Sequence, residues 1–598
     1  MRKALCFVLF ILAGSITTRA QVVLMPLQQE QRASKSIPVA LRQAAVPQTL
    51  PLFDDFATVA VVPDPNRWIN GGVYINNRYA RHPITINVAS FDGLNINGLP
   101  YAPGSIGAGA SDSLTSQPVL LANLTPADSV YLSFYWQSGG LGDIPDRSNL
   151  VYFALEFKGA DGNWREVWRQ NGLGEVTDFA QVFVGLKEAR YFHDAFQFRF
   201  KSVGQRNGVA DVWNLDYVQL DRNRRKGQNT TRDIAISQSV SRLLKNYTAM
   251  PAVQFLQNKQ EELAPEVTAT LNNLGGLPGA ISWRGYIKKI NETAADTFLR
   301  DQALVPSNAR QYAITGVPRI DNLDLDKNGF TLEHGFRLIT SEANPLERAN
   351  DTTQRKTVFA NYYSHDDGTA EAGFSFPGTG STQVAQRFTL NQPDQILAFR
   401  IYFPRVRTNL AGTSLVFRVW SDNNGVPGDV LHQQSFQIQY SDTLNEFYEV
   451  QLNKPVPVRD NFYIGWQQSG NLFVNVGFDR NESAAGRFLF TSFTNWAADT
   501  QAEGALMLRP VLVGEALGLE EDLEAARIKV FPNPSANGQV FIEGEYENLR
   551  IYTVSGQEVY RQTYAGSKPM DLSKLSPGFY TLRIQTRKAI ITKKIILN

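Results

Sequence analysis

Apolar and polar residues alternate with period two over most of this chain. Phe196, Phe198 and Phe200 fall on one side and Gln197, Arg199 and Lys201 on the other. Val130, Leu132, Phe134 and Trp136 form a second apolar row, and Phe153, Leu155 and Phe157 a third. Burial of one face of an antiparallel strand requires this alternation. Asp161-Gly162-Asn163, lying between Phe157 and Trp164, is a hairpin turn signal. The pattern over residues 49–227 predicts one two-sheet sandwich of jelly-roll type, ending in the basic, polar run Arg222–Asn229.

Residues 228–355 are more polar, with strands expected at Val267–Leu274, Ile281–Ile290, Ala313–Leu325 and Phe330–Ile339, a spacing that fits an immunoglobulin-like module. The charged stretch 341–356 predicts a boundary. Residues 356–515 read as a second sandwich, in which Leu415, Phe417 and Val419 alternate with Val416, Arg418 and Trp420. An acidic linker, 516–527, leads into a small last domain, 528–598, where Tyr580, Leu582 and Ile584 alternate with Thr581, Arg583 and Gln585. The expected fold class is all-β throughout.

The start of the chain breaks the pattern. Arg2 and Lys3, the apolar run Leu5–Ala13 and Thr18-Arg19-Ala20 make up a signal peptide over residues 1–20, with cleavage between Ala20 and Gln21. The run is too short to span a bilayer, which takes about 20 apolar residues, and no later segment is long and apolar enough. Residues 21–48, rich in Gln, Ala and Ser, read as a flexible lead-in. Cys6 is the only cysteine and leaves with the leader, so disulfides, Cys-bound metals and thiol nucleophiles are not expected. Loss of Arg2, Lys3 and Arg19 turns the formal charge of +1 into −2. Such a balance offers no electrostatic case for nucleic acid or an anionic membrane.

The last domain carries Val530-Phe531-Pro532-Asn533-Pro534, then Val554-Ser555-Gly556, then Leu575-Ser576-Pro577-Gly578-Phe579-Tyr580 and a final Lys593-Lys594-Ile595-Ile596-Leu597 strand. In order and spacing it resembles the type A sorting domain of type IX secretion cargo, a small immunoglobulin-like domain of exported Bacteroidetes proteins. The resemblance implies the type IX machinery as partner and passage through the periplasm. It also implies removal of the domain, then release or anchoring to surface polysaccharide. Its signal residues here are Val530, Phe531, Pro532, Asn533, Pro534, Gly556, Gly578, Tyr580, Lys593 and Lys594. The front sandwich, with Phe53-Asp54-Asp55-Phe56, Pro63-Asp64-Pro65-Asn66-Arg67-Trp68, Phe91-Asp92-Gly93-Leu94-Asn95 and Trp213-Asn214-Leu215-Asp216-Tyr217-Val218, resembles a module of the same bacteria. Its layout is similar to MAM and laminin-G jelly rolls, which implies adhesion or binding. Ser364-His365-Asp366-Asp367-Gly368-Thr369-Ala370-Glu371 resembles a motif common in such exports. Ser113, Ser129, Thr352 and Thr443 resemble the O-glycan acceptors of Bacteroidetes exports, an aspartate preceding each.

Little catalytic chemistry can be located. His82, His193, His334, His365 and His432 are scattered without HExxH spacing, and neither a GxSxG elbow nor a GxxxxGK[ST] loop occurs. The Glu-x-Asp-x-x-Glu run that can arm a sandwich glycosidase is missing from the front domain. Asp324, Asp326, Asn328 and Gly329 imitate half an EF-hand loop, but Gly335 stands where the bidentate Glu belongs, so a strand–turn–strand is expected. The pairs Asp54/Asp55 and Asp366/Asp367 open the two sandwiches at matching places and are the candidates for calcium, which takes hard oxygen ligands. No cofactor is required. The reading is an exported surface or extracellular binding protein, adhesin-like and without catalysis, whose ligand is a glycan or protein. A secreted glycosidase with its site in a sandwich cleft and a structural surface component are the alternatives.

Overall fold

A computed structural model describes residues 22–30, 32, 47–58, 61–227, 232–292, 295–340, 342, 344–376, 381–406, 408–443, 445–469, 472–484, 486–491, 495–498, 502–514, 528–553, 557–563, 569–586 and 590–598. The cleavage pair Ala20 and Gln21 and the turn residue Gly556 lie outside them. Two compact units are formed, residues 1–514 and 515–598. No described helix is long and apolar enough to cross a membrane.

The front sandwich has the two antiparallel sheets that the alternation predicts. One runs in the order Ala180–Gly185, Tyr131–Ser138, Trp213–Asp221, Val88–Phe91, Tyr74–Asn76, with Leu52–Asp54 also on Trp213–Asp221. The other runs Trp68–Gly71, Gly109–Ser116, Phe198–Gly204, Tyr152–Lys158, Trp164–Asn171. All three apolar rows face the space between the sheets and are buried. Their rings meet edge-on: Phe134 lies 4.9 Å from Phe200, and Phe91 4.8 Å from Phe153. On Tyr131–Ser138 the opposite face is buried too. Tyr135 packs with Phe53, Tyr217, Ala235 and Leu274, which seats the sandwich on the next module.

That module pairs a three-stranded sheet (Ile234–Ile236, Val267–Asn273, Tyr312–Gly316) with a five-stranded one (Ala249–Pro251, Thr352–Ala360, Phe330–Ile339, Gly279–Lys289, Ala295–Val305). The boundary expected at 355/356 therefore cuts a strand. Thr352–Ala360 is paired over eight residues with Phe330–Ile339, with Thr352, Gln354 and Lys356 on its exposed face and Thr353, Thr357 and Phe359 buried. Charge there marked a strand face and not a linker. Beyond it, a six-stranded sheet (Val426–Gln437, Ser414–Asn423, Asn461–Ser469, Ser381–Thr389, Phe488–Thr491, Ala497–Ala498) faces strands of two smaller sheets. A single apolar cluster runs from Ile234 to Leu512, so the middle module and the second sandwich share one core.

Of the lead-in read as flexible, residues 21, 31 and 33–46 lie outside the described residues, and the described part differs from that reading. Val23–Met25 is a strand, paired antiparallel with Ala372–Ser375 at the edge of the second sandwich. Beyond it Glu30 and Arg32 are buried.

The terminal unit pairs a three-stranded sheet (Lys529–Phe531, Gln539–Glu543, Met570–Asp571) with a four-stranded one (Glu558–Thr563, Asn548–Thr553, Gly578–Gln585, Ile590–Leu597). Tyr580, Leu582 and Ile584 lie in its core with Val540, Leu549 and Ile595, as their alternation requires.

Candidate binding cleft

Residues 22–30 touch both sandwiches through backbone contacts. Val209 N–H donates to Leu27 O (2.7 Å), Gln28 N–H to Arg405 O (2.8 Å) and Glu30 N–H to Gly98 O (2.9 Å). A Cβ on Gly98 would stand 1.5 Å from Glu30 O, and φ there is +74°, so only glycine lets the strap lie flat. Arg32 donates to Glu30 Oε2 (2.8 Å) and pairs with Asp92, while Arg78 pairs with Glu30 and lies 3.3 Å from Glu371. Burial opposes the charge on Glu30, but Arg78 and Arg32 outweigh it and hold the carboxyl below its usual range. Asp112, beside Asp92, is pushed up to about 8 by burial and by that neighbour. Two linear motifs, the one with Asp92 and the one ending at Glu371, are thus bolted together through Glu30, Arg32 and Arg78. Sequence reasoning missed these three, since none sits in a periodic strand.

Above this layer, loops from the front sandwich, the middle module and the second sandwich enclose a cleft of about 930 Å³. Its lining mixes polar and apolar groups and comes from strand ends (Arg81 after Tyr74–Asn76, Ser237 after Ile234–Ile236, the Asp366–Gly368 loop, Arg480–Ser483 after Val476–Asp479) and from the strands Val267–Asn273 and Thr352–Ala360. Two of the three lining carboxylates are clamped. Asp366 accepts from Arg509 Nε (3.0 Å), Ser364 Oγ (2.9 Å) and Gly368 N–H (3.0 Å). Glu482 pairs with Arg355 (2.5 Å), with Arg242 3.8 Å away. The third, Asp367, is exposed and accepts from Thr369 N–H (2.8 Å) and its hydroxyl (2.7 Å). Asp367 N–H in turn donates to the buried Asp479, whose Oδ1 takes Asn481 N–H (2.7 Å) and fixes the loop beyond. Burial and the carboxylates of Asp367 and Glu371 push Asp479 well above the usual range.

The four calcium candidates share a turn geometry. Each accepts the backbone N–H two residues on: Asp54 from Phe56 (3.0 Å), Asp55 from Ala57 (3.1 Å), Asp366 from Gly368 and Asp367 from Thr369. These are consecutive Asx turns. The first aspartate of each pair also faces an arginine, Arg67 at 3.3 Å from Asp54 and Arg509 on Asp366. Asp54 further accepts from the Trp68 indole (2.7 Å) and Asp55 from Asn350 (2.9 Å). Burial drives Asp55 up to about 7, a weak ligand at neutral pH. Among the described residues no group of three or more His, Cys, Asp or Glu side chains is arranged to hold a metal.

Of the glycan-acceptor candidates, Ser129, Thr352 and Thr443 are exposed, whereas Ser113 lies half-buried in a strand paired on both sides, its preceding Asp112 fully enclosed. Ser113 is therefore not presented by the folded chain. His365 is wedged between Tyr247 and Phe388, 4.9 and 5.1 Å away, and burial pulls it down to about 4. Asp326 closes the half EF-hand as a turn, accepting from Asn328 N–H (2.9 Å).

In the terminal unit the Pro532-Asn533-Pro534 segment serves as a side-chain strand. Asn533 Nδ2 donates to Lys594 O (2.8 Å) and its Oδ1 accepts from Ile596 N–H (2.9 Å), so one amide replaces the pairing that two prolines cannot make. Tyr580 O–H donates to Ser576 O (2.7 Å) across the turn before Gly578. Val530 and Phe531 pair with Ile542 and Phe541, while Lys593 and Lys594 sit in the last strand opposite Leu582 and Thr581.

Residues 529–598 match the secretion system C-terminal sorting domain family. The chain is thus cargo for type IX machinery, delivered to the outer surface or the medium. No curated protein matches it. Solved structures with some likeness include a putative β-galactosidase from Bacteroides fragilis (11% identity, TM-score 0.21, 48% of this chain and 37% of that one). Two β-glucuronidases also appear, from Parabacteroides merdae (11%, 0.21, 53% and 38%) and Ruminococcus gnavus (8%, 0.20, 51% and 45%). This chain spans less than half the length of each, and at such TM-scores the likeness carries no argument.

Proposed function

We propose that this protein is a non-catalytic binding protein of the cell exterior, whose ligand is a saccharide seated in the cleft between the three modules. The clamping of Asp366 by Arg509 and of Glu482 by Arg355 supports this reading. Glycoside hydrolysis needs two carboxyl groups roughly 5–9.5 Å apart, one free to give a proton and one to attack or to activate water. A carboxylate hydrogen-bonded to a guanidinium has its lone pairs engaged, which leaves Asp367 as the carboxylate of the described lining without an arginine partner, although burial outweighs Arg355 and raises Glu482 above its usual range. The hydroxyls of Ser237, Ser239, Ser241 and Thr270 add hydrogen-bonding groups suited to sugar hydroxyls. The front sandwich, similar in layout to adhesive jelly rolls, agrees with a role in attachment.

The test is to incubate exported protein with a panel of polysaccharides while measuring both binding and release of reducing ends. Binding without release is expected. Release of reducing ends that disappears in Asp367→Asn would make the protein a hydrolase.

A further inference from the structure

We infer that the cleft selects an anionic polysaccharide, gripping its carboxylate or sulfate groups with Arg81 and Lys356. The inference rests on the binding reading above and narrows the ligand class.

The chain as a whole is near neutral, with 58 Lys and Arg against 57 Asp and Glu. The cleft is not: Arg81, Arg242, Arg355, Lys356, Arg480 and Arg509 line it against the carboxylates of Asp366, Asp367 and Glu482. Four of these cations are engaged. Arg355 and Arg242 lie on Glu482, Arg509 on Asp366, and Arg480 donates to Leu141 O. Arg81 and Lys356 are exposed, and neither side chain has an ion-pair or hydrogen-bond partner among the described residues. They come from different modules, Arg81 from a front-sandwich loop and Lys356 from the Thr352–Ala360 strand. A ligand that answers both bridges two modules.

Ring faces are the second observation. Small-molecule sites commonly anchor their ligand on apolar and aromatic walls, and single-stranded nucleic acid is held by stacking its bases. Here Tyr362 is the one Phe, Tyr or Trp in the described lining. Its ring is already covered by Arg400 and Arg509, whose guanidinium carbons lie 4.8 and 5.5 Å from its centroid. With that ring already stacked on guanidinium groups, the two unpaired cations are the charged contacts the described lining leaves open to a ligand. Charge-assisted hydrogen bonds to a carboxylate or sulfate are the strong contacts such a wall can make. The volume lies at the upper end of the 300–1,000 Å³ of small-molecule pockets and suits an oligosaccharide segment of a longer chain.

The experiment measures binding of the full exported protein, and of an Arg81→Gln/Lys356→Gln variant, to polygalacturonate, dextran sulfate and unmodified dextran at low and high salt. Expected are binding to at least one polyanion, weakening as salt rises, no binding to dextran, and a loss of tenfold or more in the variant. The variant should melt like the parent, because both side chains are exposed and unpaired. The two polyanions separate carboxylate from sulfate recognition. Dextran binding as tight as polyanion binding, or a variant that binds as well as the parent, overturns the anionic assignment and leaves the cleft reading standing. Silence toward all three removes both.

Discussion

Replacing Arg32 with methionine should loosen the whole N-terminal unit. Arg32 is one of the most enclosed cations of the fold, its side chain 3% exposed between Glu30 and Asp92, which are 1% and 0% exposed. The substitution leaves Glu30 with Arg78, and Asp92 with the Leu94 N–H (3.1 Å). Removing one member of a buried pair costs about 3–5 kcal/mol, most of it the penalty of the stranded charge. Lost contact with the Tyr74 ring, 4.2 Å from the guanidinium carbon, adds up to about 2 kcal/mol. If the unit melts as one body, an unfolding entropy of about 2.1 cal/mol/K per residue over roughly 500 residues is ~1 kcal/mol/K, so Tm should fall by roughly 3–7 °C. Calorimetry of exported protein reads this directly. Part of the loss should return as pH falls, because burial already raises Asp92 and loss of Arg32 lets it take up a proton more readily. Arg32→Met/Asp92→Asn should lie closer to the parent than Arg32→Met does. A Tm within 1 °C of the parent at pH 7 would mean that the lead-in is not buckled into the fold, and the reasoning would fail.

Other outcomes follow from the same geometry. Burial lifts Asp55 to about 7 in the fold from an ordinary 3.8, so the folded state holds its proton more tightly. Stability from this group is therefore full below pH 4, declines as pH rises to about 7 and is then flat, a change on the order of 4 kcal/mol. Asp55→Asn should flatten that part of the pH profile measured by urea unfolding, and an unaltered slope would count against it. Calcium at millimolar level should leave the melting midpoint where chelator leaves it, since Arg67 and Arg509 already face Asp54 and Asp366; a rise of several degrees would restore the ion. Deleting residues 528–598 should trap the protein in the periplasm, and normal surface or medium levels of the truncated chain would contradict the sorting role. Asn533→Ala should weaken the terminal unit by about 1–2 kcal/mol through its two lost hydrogen bonds, which melting of that unit would show.

Period-two rows such as Phe196, Phe198 and Phe200 are local signals, and local geometry carries them into the core wherever the strand is placed. The sorting domain was legible for the same reason, since its turns and strands are encoded over short spans. The amino-acid order also located the aspartate pairs and their equivalence, but not what they answer to. Asp54 meets Arg67 nearby, whereas Asp366 waits for Arg509, 143 positions on. The lead-in looked flexible because its composition is polar and without period. The placement of residues 22–30 comes from Gly98, Arg405 and Ser375, partners that no window on residues 21–48 contains. The boundary at 355/356 failed because an exposed strand face and a linker share a composition, and only pairing with Phe330–Ile339 separates them. The cleft belongs wholly to tertiary structure: Arg81 and Lys356 are ordinary surface cations in sequence. They become a site because the shared core from Ile234 to Leu512, and the seat of Tyr135 on Ala235 and Leu274, hold three modules around one space.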